Sequence, residues 1–288
     1  MFSVPRRRLS LSQLIPACIS VAAGAVAAGA LALPSAQAAS PAAGVDLVPH
    51  RAIYSMKLAG SRSGSSVADA RGAMYVEWSE ACDGWTMTQR VRLTLVTGEG
   101  DDSETDSNYS SWESKDGRNY RFTVRNLRDG KLSEELRGDA SLADNAGAGE
   151  ARFTMPLGTK FDLPKAAVFP TEHTVQLIEA ARAGGNHLSR VLFDGASLDG
   201  PLEVNAVIGA AAQPAKSPAD AAGELTGGRS WRVRMAFFPL DSQAAEPDYE
   251  VGVRLFENGV ADSFLLDYGG YSVSANLERI EALPRPRC

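Results

Sequence analysis

The feature that most restricts the fold of this chain is an alternation of apolar and polar residues that recurs in several separate segments. Between Gly84 and Thr97, apolar side chains occupy many of the odd positions, and Thr, Gln and Arg lie between them. A period of two is typical of strands that bury one face. The alternating apolar positions are Trp85, Met87, Val91, Leu93 and Leu95; Trp231, Val233, Met235 and Phe237; Tyr249, Val251, Val253 and Leu255; Phe264, Leu266 and Tyr268; and Tyr271, Val273, Ala275 and Leu277. These segments predict a mainly β fold.

Turn signals separate many of these segments. They are Asp83-Gly84, Asp116-Gly117, Asp129-Gly130 and Asn258-Gly259, while Asp194-Gly195 and Asp199-Gly200 fit either turns or loops. Asx-Gly pairs tolerate the positive φ of type I′ hairpin turns, so they favour antiparallel neighbours. We therefore expect an antiparallel sheet that is curved or wrapped upon itself.

One segment, near residues 171–183, has the pattern of a helix. Thr171 follows Pro170 and is a suitable N-cap, Glu172 lies in the first turn, and Gly184-Gly185 ends the segment. The predicted apolar stripe consists of Val175, Ile178, Ala180 and Ala181. A single helix packed on the sheet is the simplest use of this pattern.

Two segments interrupt the alternation. Residues 139–150 are rich in Ala, Gly and Asp and predict a loop, and residues near 210–228 predict a flexible surface insertion. The sequence shows no repeat of fixed period. We interpret residues 39–288 as a single domain and the insertion as an excursion within it.

The N-terminal region, residues 1–38, predicts a secretory signal peptide. Arg6, Arg7 and Arg8 precede an apolar run, and Ala36-Gln37-Ala38 forms a cleavage site. A transmembrane anchor is the alternative, but Gly and Ala make the run weakly apolar. Export through the Sec or the twin-arginine route stays open. After cleavage the chain is predicted not to span a membrane.

Charge and composition exclude some functions. The 44% hydrophobic and 22% charged residues exclude a disordered chain. Loss of residues 1–38 leaves 26 basic and 35 acidic side chains, a net charge of −9. Such an acidic chain lacks the clustered basic surface of a nucleic-acid binder. The same balance disfavours electrostatic adsorption to lipid headgroups.

Two cysteines, Cys82 and Cys288, remain after cleavage, and Cys288 is the last residue. An even pair in an oxidising compartment suggests one disulfide, and two free thiols are the alternative. A loop of about 207 residues would restrict the unfolded chain by roughly 5 kcal/mol in the entropy model. The bond would attach the C-terminus to an early turn.

Chemical motifs are scarce in this sequence. His50, His173 and His187 do not form a zinc-protease motif, and Cys-x-x-Cys, Gly-x-Ser-x-Gly and phosphate-binding loops are absent. The acidic pairs Asp101-Asp102 and Glu134-Glu135 fit solvated strand ends. We therefore predict no catalytic residues, no metal and no cofactor.

Several short motifs together indicate a family. They are Leu47-Val48-Pro49-His50-Arg51-Ala52-Ile53-Tyr54, Cys82-Asp83-Gly84-Trp85, Phe169-Pro170-Thr171-Glu172-His173-Thr174, Phe193-Asp194-Gly195, Gly200-Pro201 and Leu283-Pro284-Arg285-Pro286-Arg287-Cys288. In this order the chain resembles the EipB-like family of periplasmic cell-envelope integrity proteins over nearly all of residues 45–288.

The resemblance implies a β-spiral of many antiparallel strands with one helix, closed by a disulfide between Cys82 and Cys288. It also implies a non-enzymatic role in the Gram-negative envelope, and periplasmic proteins are the expected partners. The alternative is a carrier or sensor that binds a lipid or acyl chain on the concave face of the sheet. For that role the candidate residues are Trp85, Trp231, Phe237 and Tyr249. An envelope hydrolase using paired carboxylates is the weakest hypothesis.

Overall fold

The computed structural model describes residues 44–143, 147–212, 222–240 and 244–288, so the predicted signal peptide lies outside it. Residues 44–288 form a compact unit of their own. The elements are β1 His50–Ser61, β2 Val67–Glu80, β3 Gly84–Thr97, β4 Asp102–Ser114, β5 Asn119–Arg128, β6 Lys131–Leu142, β7 Gly149–Met155, β8 Lys160–Leu163, α1 Pro170–Arg182, β9 His187–Leu192, β10 Leu202–Ile208, α2 Ala222–Thr226, β11 Ser230–Pro239, β12 Tyr249–Phe256, β13 Ala261–Asp267 and β14 Tyr271–Ala282. Neither helix of these ranges has the length and apolar character needed to cross a bilayer.

The strands form one antiparallel sheet of fourteen, and its order places β1 beside β14 in the middle. Neighbours in the chain are neighbours in the sheet everywhere except at β8 and β9, which are its two edges. In chain order α1 lies between β8 and β9, and within the described ranges a parallel bridge joins Val168, just before α1, to Leu192 of β9. The predicted mainly β fold, an antiparallel sheet of many strands with a helix near residues 171–183, is confirmed, and β8 and β9 do not pair to close the sheet.

The predicted turns fall between strands, with one difference. Asp129 and Gly130 have φ of 51° and 73°, as a type I′ turn requires. Gly84, in contrast, is the first residue of β3. It is needed for close approach, because a Cβ there would lie 2.4 Å from the Glu113 carbonyl oxygen and 2.5 Å from Trp112 Nε1. The glycine of Asp83-Gly84 therefore serves packing across β3 and β4.

The N-terminal end of α1 differs from the prediction, and its C-terminal end agrees with it. Phe169 is the N-cap, with no side-chain cap bond, and Pro170 opens the helix, so the prediction of Thr171 as N-cap is wrong. At the other end, Gly184 N–H donates to the Ala181 carbonyl and Gly185 N–H to the Ala180 carbonyl. These two bonds form a Schellman motif, so the predicted stop is correct.

The buried face of α1 is also rotated from the predicted stripe. Its buried residues are His173, Leu177, Ile178 and Ala181, whereas Val175 and Ala180 are partly buried at its margin. Hydropathy alone gives no reason to turn a histidine inward. The rotation follows from packing against an apolar cluster that includes Trp78 and Trp231.

The two predicted irregular segments are shorter than expected. Strand β6 extends to Leu142 and β7 begins at Gly149, because Ala140 and Ala151 are small residues buried in the sheet's core. In the second segment, predicted to be a flexible surface insertion, residues 222–226 form the short helix α2, so the prediction of a single helix is also corrected. Ala212 bridges to Ser230, so the segment leaves and re-enters the sheet at adjacent points.

Candidate functional site

The disulfide of the predicted fold joins the turn between β2 and β3 to the last residue of the chain. Cys82 and Cys288 are bonded with a Cα–Cα distance of 5.7 Å, although 206 positions separate them in sequence. The alternative of two free thiols is therefore wrong. The bond fixes the C-terminal tail on the end of the sheet where β2 turns into β3.

Charged side chains reinforce this closure. Arg285 Nη2 lies 2.6 Å from Asp46 Oδ1, and its Nη1 lies 3.3 Å from Glu80 Oε2. Glu80 also pairs with Lys115, whose Nζ lies 4.2 Å from the ring centroid of Trp85. A single exposed ion pair contributes about 0–1 kcal/mol, and a network contributes more. The sequence reasoning identified the cysteines but missed Arg285, which lies between two prolines in the C-terminal motif.

A second polar feature lies inside the molecule, where β4 meets the start of α1. Glu113 is only 3% exposed. Its Oε2 accepts the Thr171 N–H at 2.7 Å and its Oε1 accepts the Glu172 N–H at 2.9 Å. These amides are among those left without partners at a helix N-terminus. Glu113 thus replaces the missing local cap.

Burial decides the protonation of Glu113. It raises the pKa of this carboxyl to about 7, against the two backbone N–H groups, which lower it. The sequence reasoning missed Glu113, because its partners lie 58 and 59 positions away. The available signal was an acidic residue at an inward position of a strand.

His173 lies on the buried face of α1 and is 4% exposed. Burial, and next the charge of Arg190, lowers its pKa to about 4. The described residues include no group of three or more His, Cys, Asp or Glu side chains that could hold a metal ion. Because its pKa is lowered, the imidazole of His173 is neutral at physiological pH.

The Phe193-Asp194-Gly195 motif is held by two tyrosines. The hydroxyls of Tyr109 and Tyr120 hydrogen-bond each other and both lie 3.1 Å from the Asp194 carbonyl oxygen. Gly195 lies against the ring of Phe122, where a Cβ would come within 2.5 Å. The motif therefore serves to seat the loop after β9 on the inner face of β4 and β5.

The four aromatic residues predicted for a concave binding face do not form one surface. Trp231 is 2% exposed and Phe237 is 7% exposed, and they belong to different core clusters. Partly buried Trp85 packs against the cluster of Trp231, and Tyr249 stacks on Phe237 with ring centroids 4.4 Å apart. All four residues contribute to the core.

An open groove of about 950 Å³ lies over β3 to β7 on the outer face of the sheet, the face opposite the buried core clusters. Its lining is mainly hydroxyl-bearing and charged, and it includes Trp112, Arg121, Arg137 and Asp139. The sequence reasoning singled out none of these residues, because outward polar positions of strands carry no distinctive pattern.

Comparison with known proteins agrees with this architecture. The family model described as EipB-like matches residues 41–284. The cell envelope integrity protein EipB of Brucella abortus (strain 2308) is 31% identical over 249 residues, 85% of this chain and 88% of that protein. The crystal structure of a beta-barrel-like protein of a domain of unknown function, also from Brucella abortus, has a TM-score of 0.75 at 29% identity, covering 84% of this chain and 100% of that one. The chain belongs to the EipB-like family.

Proposed function

We propose that this protein maintains cell-envelope integrity as a non-enzymatic scaffold in the periplasm, acting through protein partners. The name of the Brucella relative, a cell envelope integrity protein, supports the envelope role. The observation that carries the scaffold role is the Cys82–Cys288 bond, which closes nearly the whole folded unit into one covalent loop.

The periplasmic location is supported by two independent features. A disulfide persists in oxidising compartments such as the bacterial periplasm and is rare in the cytosol. The segment at residues 1–38 has the basic, apolar and small-residue order of a secretory signal. Removal of this signal would leave the folded unit free to bind envelope proteins.

The alternative, a carrier for a lipid or acyl chain, requires an open apolar concave face. Burial of Trp231 and Phe237 in the core favours the scaffold over the carrier. Addition of a fluorescent fatty acid to the purified mature chain tests the carrier directly. Saturable binding that Tyr249→Ala weakens would favour it.

Deletion of the gene in the source bacterium, followed by complementation, tests the scaffold proposal. We expect the deletion strain to become sensitive to detergent and the wild-type gene to restore resistance. Cys82→Ser should restore it poorly, while Cys18→Ser is a matched control, because Cys18 lies in the predicted signal peptide. Fractionation should recover the mature chain with periplasmic markers.

The non-enzymatic part of the proposal is tested in the same strain. Glu113 and His173 are buried ionisable side chains whose pKa values are shifted by burial, as acid–base chemistry often requires. We expect Glu113→Gln and His173→Gln to restore resistance whenever the protein accumulates at the wild-type level. A variant that accumulates normally and fails to restore resistance would refute a role without catalysis.

A further inference from the structure

The outer face of β3 to β6 carries a row of hydroxyls. Strand register places Thr88, Ser110 and Thr123 side by side, and Arg137 of β6 ends the row. All four residues line the open groove of about 950 Å³. The floor of the groove therefore offers short donors and acceptors with an arginine at one end.

The adjacent row on the same face adds an aromatic ring and a second arginine. Register aligns Thr86, Trp112, Arg121 and Asp139. The guanidinium carbon of Arg121 lies 4.9 Å from the centroid of the Trp112 ring. Trp112 in turn lies against Gly84, where a Cβ would come within 2.5 Å of its Nε1. Stacking on Trp112 thus holds the Arg121 side chain in place before any ligand arrives.

Some arginines of the outer face are paired with carboxylates, whereas these two, like Arg90 and Arg125, are not in the part of the chain that the structure describes. Arg51, Arg92, Arg234 and Arg254 each form a salt bridge with a carboxylate. Arg121 and Arg137 form none with any acidic side chain of the described ranges. Asp139 is the acidic residue that lines the groove, so cations exceed anions there on a chain of net charge −6. The groove is suited to an anionic ligand.

The type of ligand follows from the face that carries the groove. Backbone N–H and C=O groups in the middle of a sheet are already paired, so a peptide could not add as a strand there, as it does at sheet edges. Recognition must use side chains, and these are hydroxyls, guanidinium groups and one indole. An acidic sugar chain can match all three. Its hydroxyls can bond the Thr and Ser hydroxyls, its acidic groups can bind the guanidinium groups, and the apolar face of a sugar ring can pack on the indole.

We propose that this groove binds an anionic glycan, a saccharide chain with carboxylate or phosphate groups. Arg121 and Arg137 bind the acidic groups with their planar forks of N–H donors. Thr88, Ser110 and Thr123 exchange hydrogen bonds with sugar hydroxyls. This site is independent of the scaffold proposal, because a scaffold without glycan affinity could still support the envelope.

Isothermal titration of the full mature chain, with its disulfide intact, tests the proposal. The probes are oligogalacturonate, which carries carboxylates, a phosphorylated maltooligosaccharide, and the unmodified maltooligosaccharide as the neutral control. We expect one or both anionic probes to bind at least tenfold more tightly than the neutral one. The two anionic probes distinguish carboxylate from phosphate recognition.

Arg121→Gln and Arg137→Gln should each weaken binding at least tenfold, and Thr123→Val should weaken it less. Arg51→Gln, on β1 outside the groove, is the matched control and should bind like the wild type. Absence of binding by both anionic probes would overturn the proposal. Equal losses in Arg51→Gln and Arg121→Gln, or equally tight binding of oligoglutamate, would also overturn it, because charge alone would then explain the affinity.

Discussion

Replacement of Glu113 by glutamine should reveal a dependence of stability on pH that the wild-type protein conceals. The pKa of Glu113 is raised from 4.5 to about 7, so the native state retains a proton that the unfolded chain releases between these values. Its contribution to stability is complete below pH 4.5 and is lost as pH rises through 7. The change amounts to about 1.4 kcal/mol per pH unit over the interval.

His173 acts in the opposite direction. Its pKa is lowered from 6.5 to about 4, so between these values the unfolded chain holds a proton that the native state lacks. Its contribution is complete above pH 6.5 and is lost as pH falls through 4. Between pH 4.5 and 6.5 the contributions of the two residues to the free energy of unfolding therefore nearly cancel.

Glu113→Gln removes one of the two opposing contributions. When pH is lowered from 6.5 to 4.5, the free energy of unfolding of the variant should fall by about 3 kcal/mol more than that of the wild type. This is the slope of about 1.4 kcal/mol per pH unit taken over two units. Urea unfolding followed by tryptophan fluorescence at pH 4.5, 5.5, 6.5 and 7.5 measures the difference. Other titrating groups affect both proteins equally, so the difference isolates Glu113.

Glu203→Gln, at an exposed outer position of β10, is the matched control and should keep the wild-type profile. His173→Gln should show the reverse slope, with stability rising as pH falls from 6.5 to 4.5. Parallel profiles for Glu113→Gln and the wild type would refute the reasoning, because Glu113 would then be ionised throughout this range.

Three further predictions concern stability. Cys82→Ser should lower the free energy of unfolding by up to roughly 5 kcal/mol, because the closed loop spans 206 positions; urea unfolding that reductant leaves unchanged in the wild type would contradict this. Trp231→Ala should cost about 3–5 kcal/mol, as expected for a large side chain removed from the core; a thermal midpoint close to that of the wild type would place Trp231 outside the core. Gly84→Ala should lower the thermal midpoint, because its Cβ would collide with the facing backbone of β4, whereas Gly98→Ala has open space and should not; equal midpoints for the two variants would argue against the close approach.

The alternation predicts β3 and β11 to β14 from their apolar inward positions, but it gives no signal for a strand whose inward positions are polar. Strand β4 is the clearest example, since its inward residues include Ser103, Thr105, Ser107 and Ser111. It forms a strand because β3 and β5 pair with it on both sides. Pairing with β3 and β5, and not the hydropathy pattern of its own residues, makes this segment a strand.

The candidate site shows the same division. Cys82 and Cys288 could be predicted, because two cysteines in an exported chain have few alternatives. Glu113 and Arg285 could not, since their partners are 58 and 239 positions away and no local pattern connects them. Arg121 and Arg137 acquire their significance only from strand register, which aligns them with hydroxyls of other strands.

The covalent closure also determines how the folded unit would respond to a mechanical load. A pull between Gly44 and Cys288 passes along β1 and β2 to Cys82 and then directly across the disulfide to the last residue. The backbone from Asp83 to Arg287 lies outside this covalent path, so an intact disulfide limits extension of the chain to residues 44–82. The first strands to yield would be β1 and β2, which lie between β3 and β14, so such a load would act on the middle of the sheet and not on its two edges.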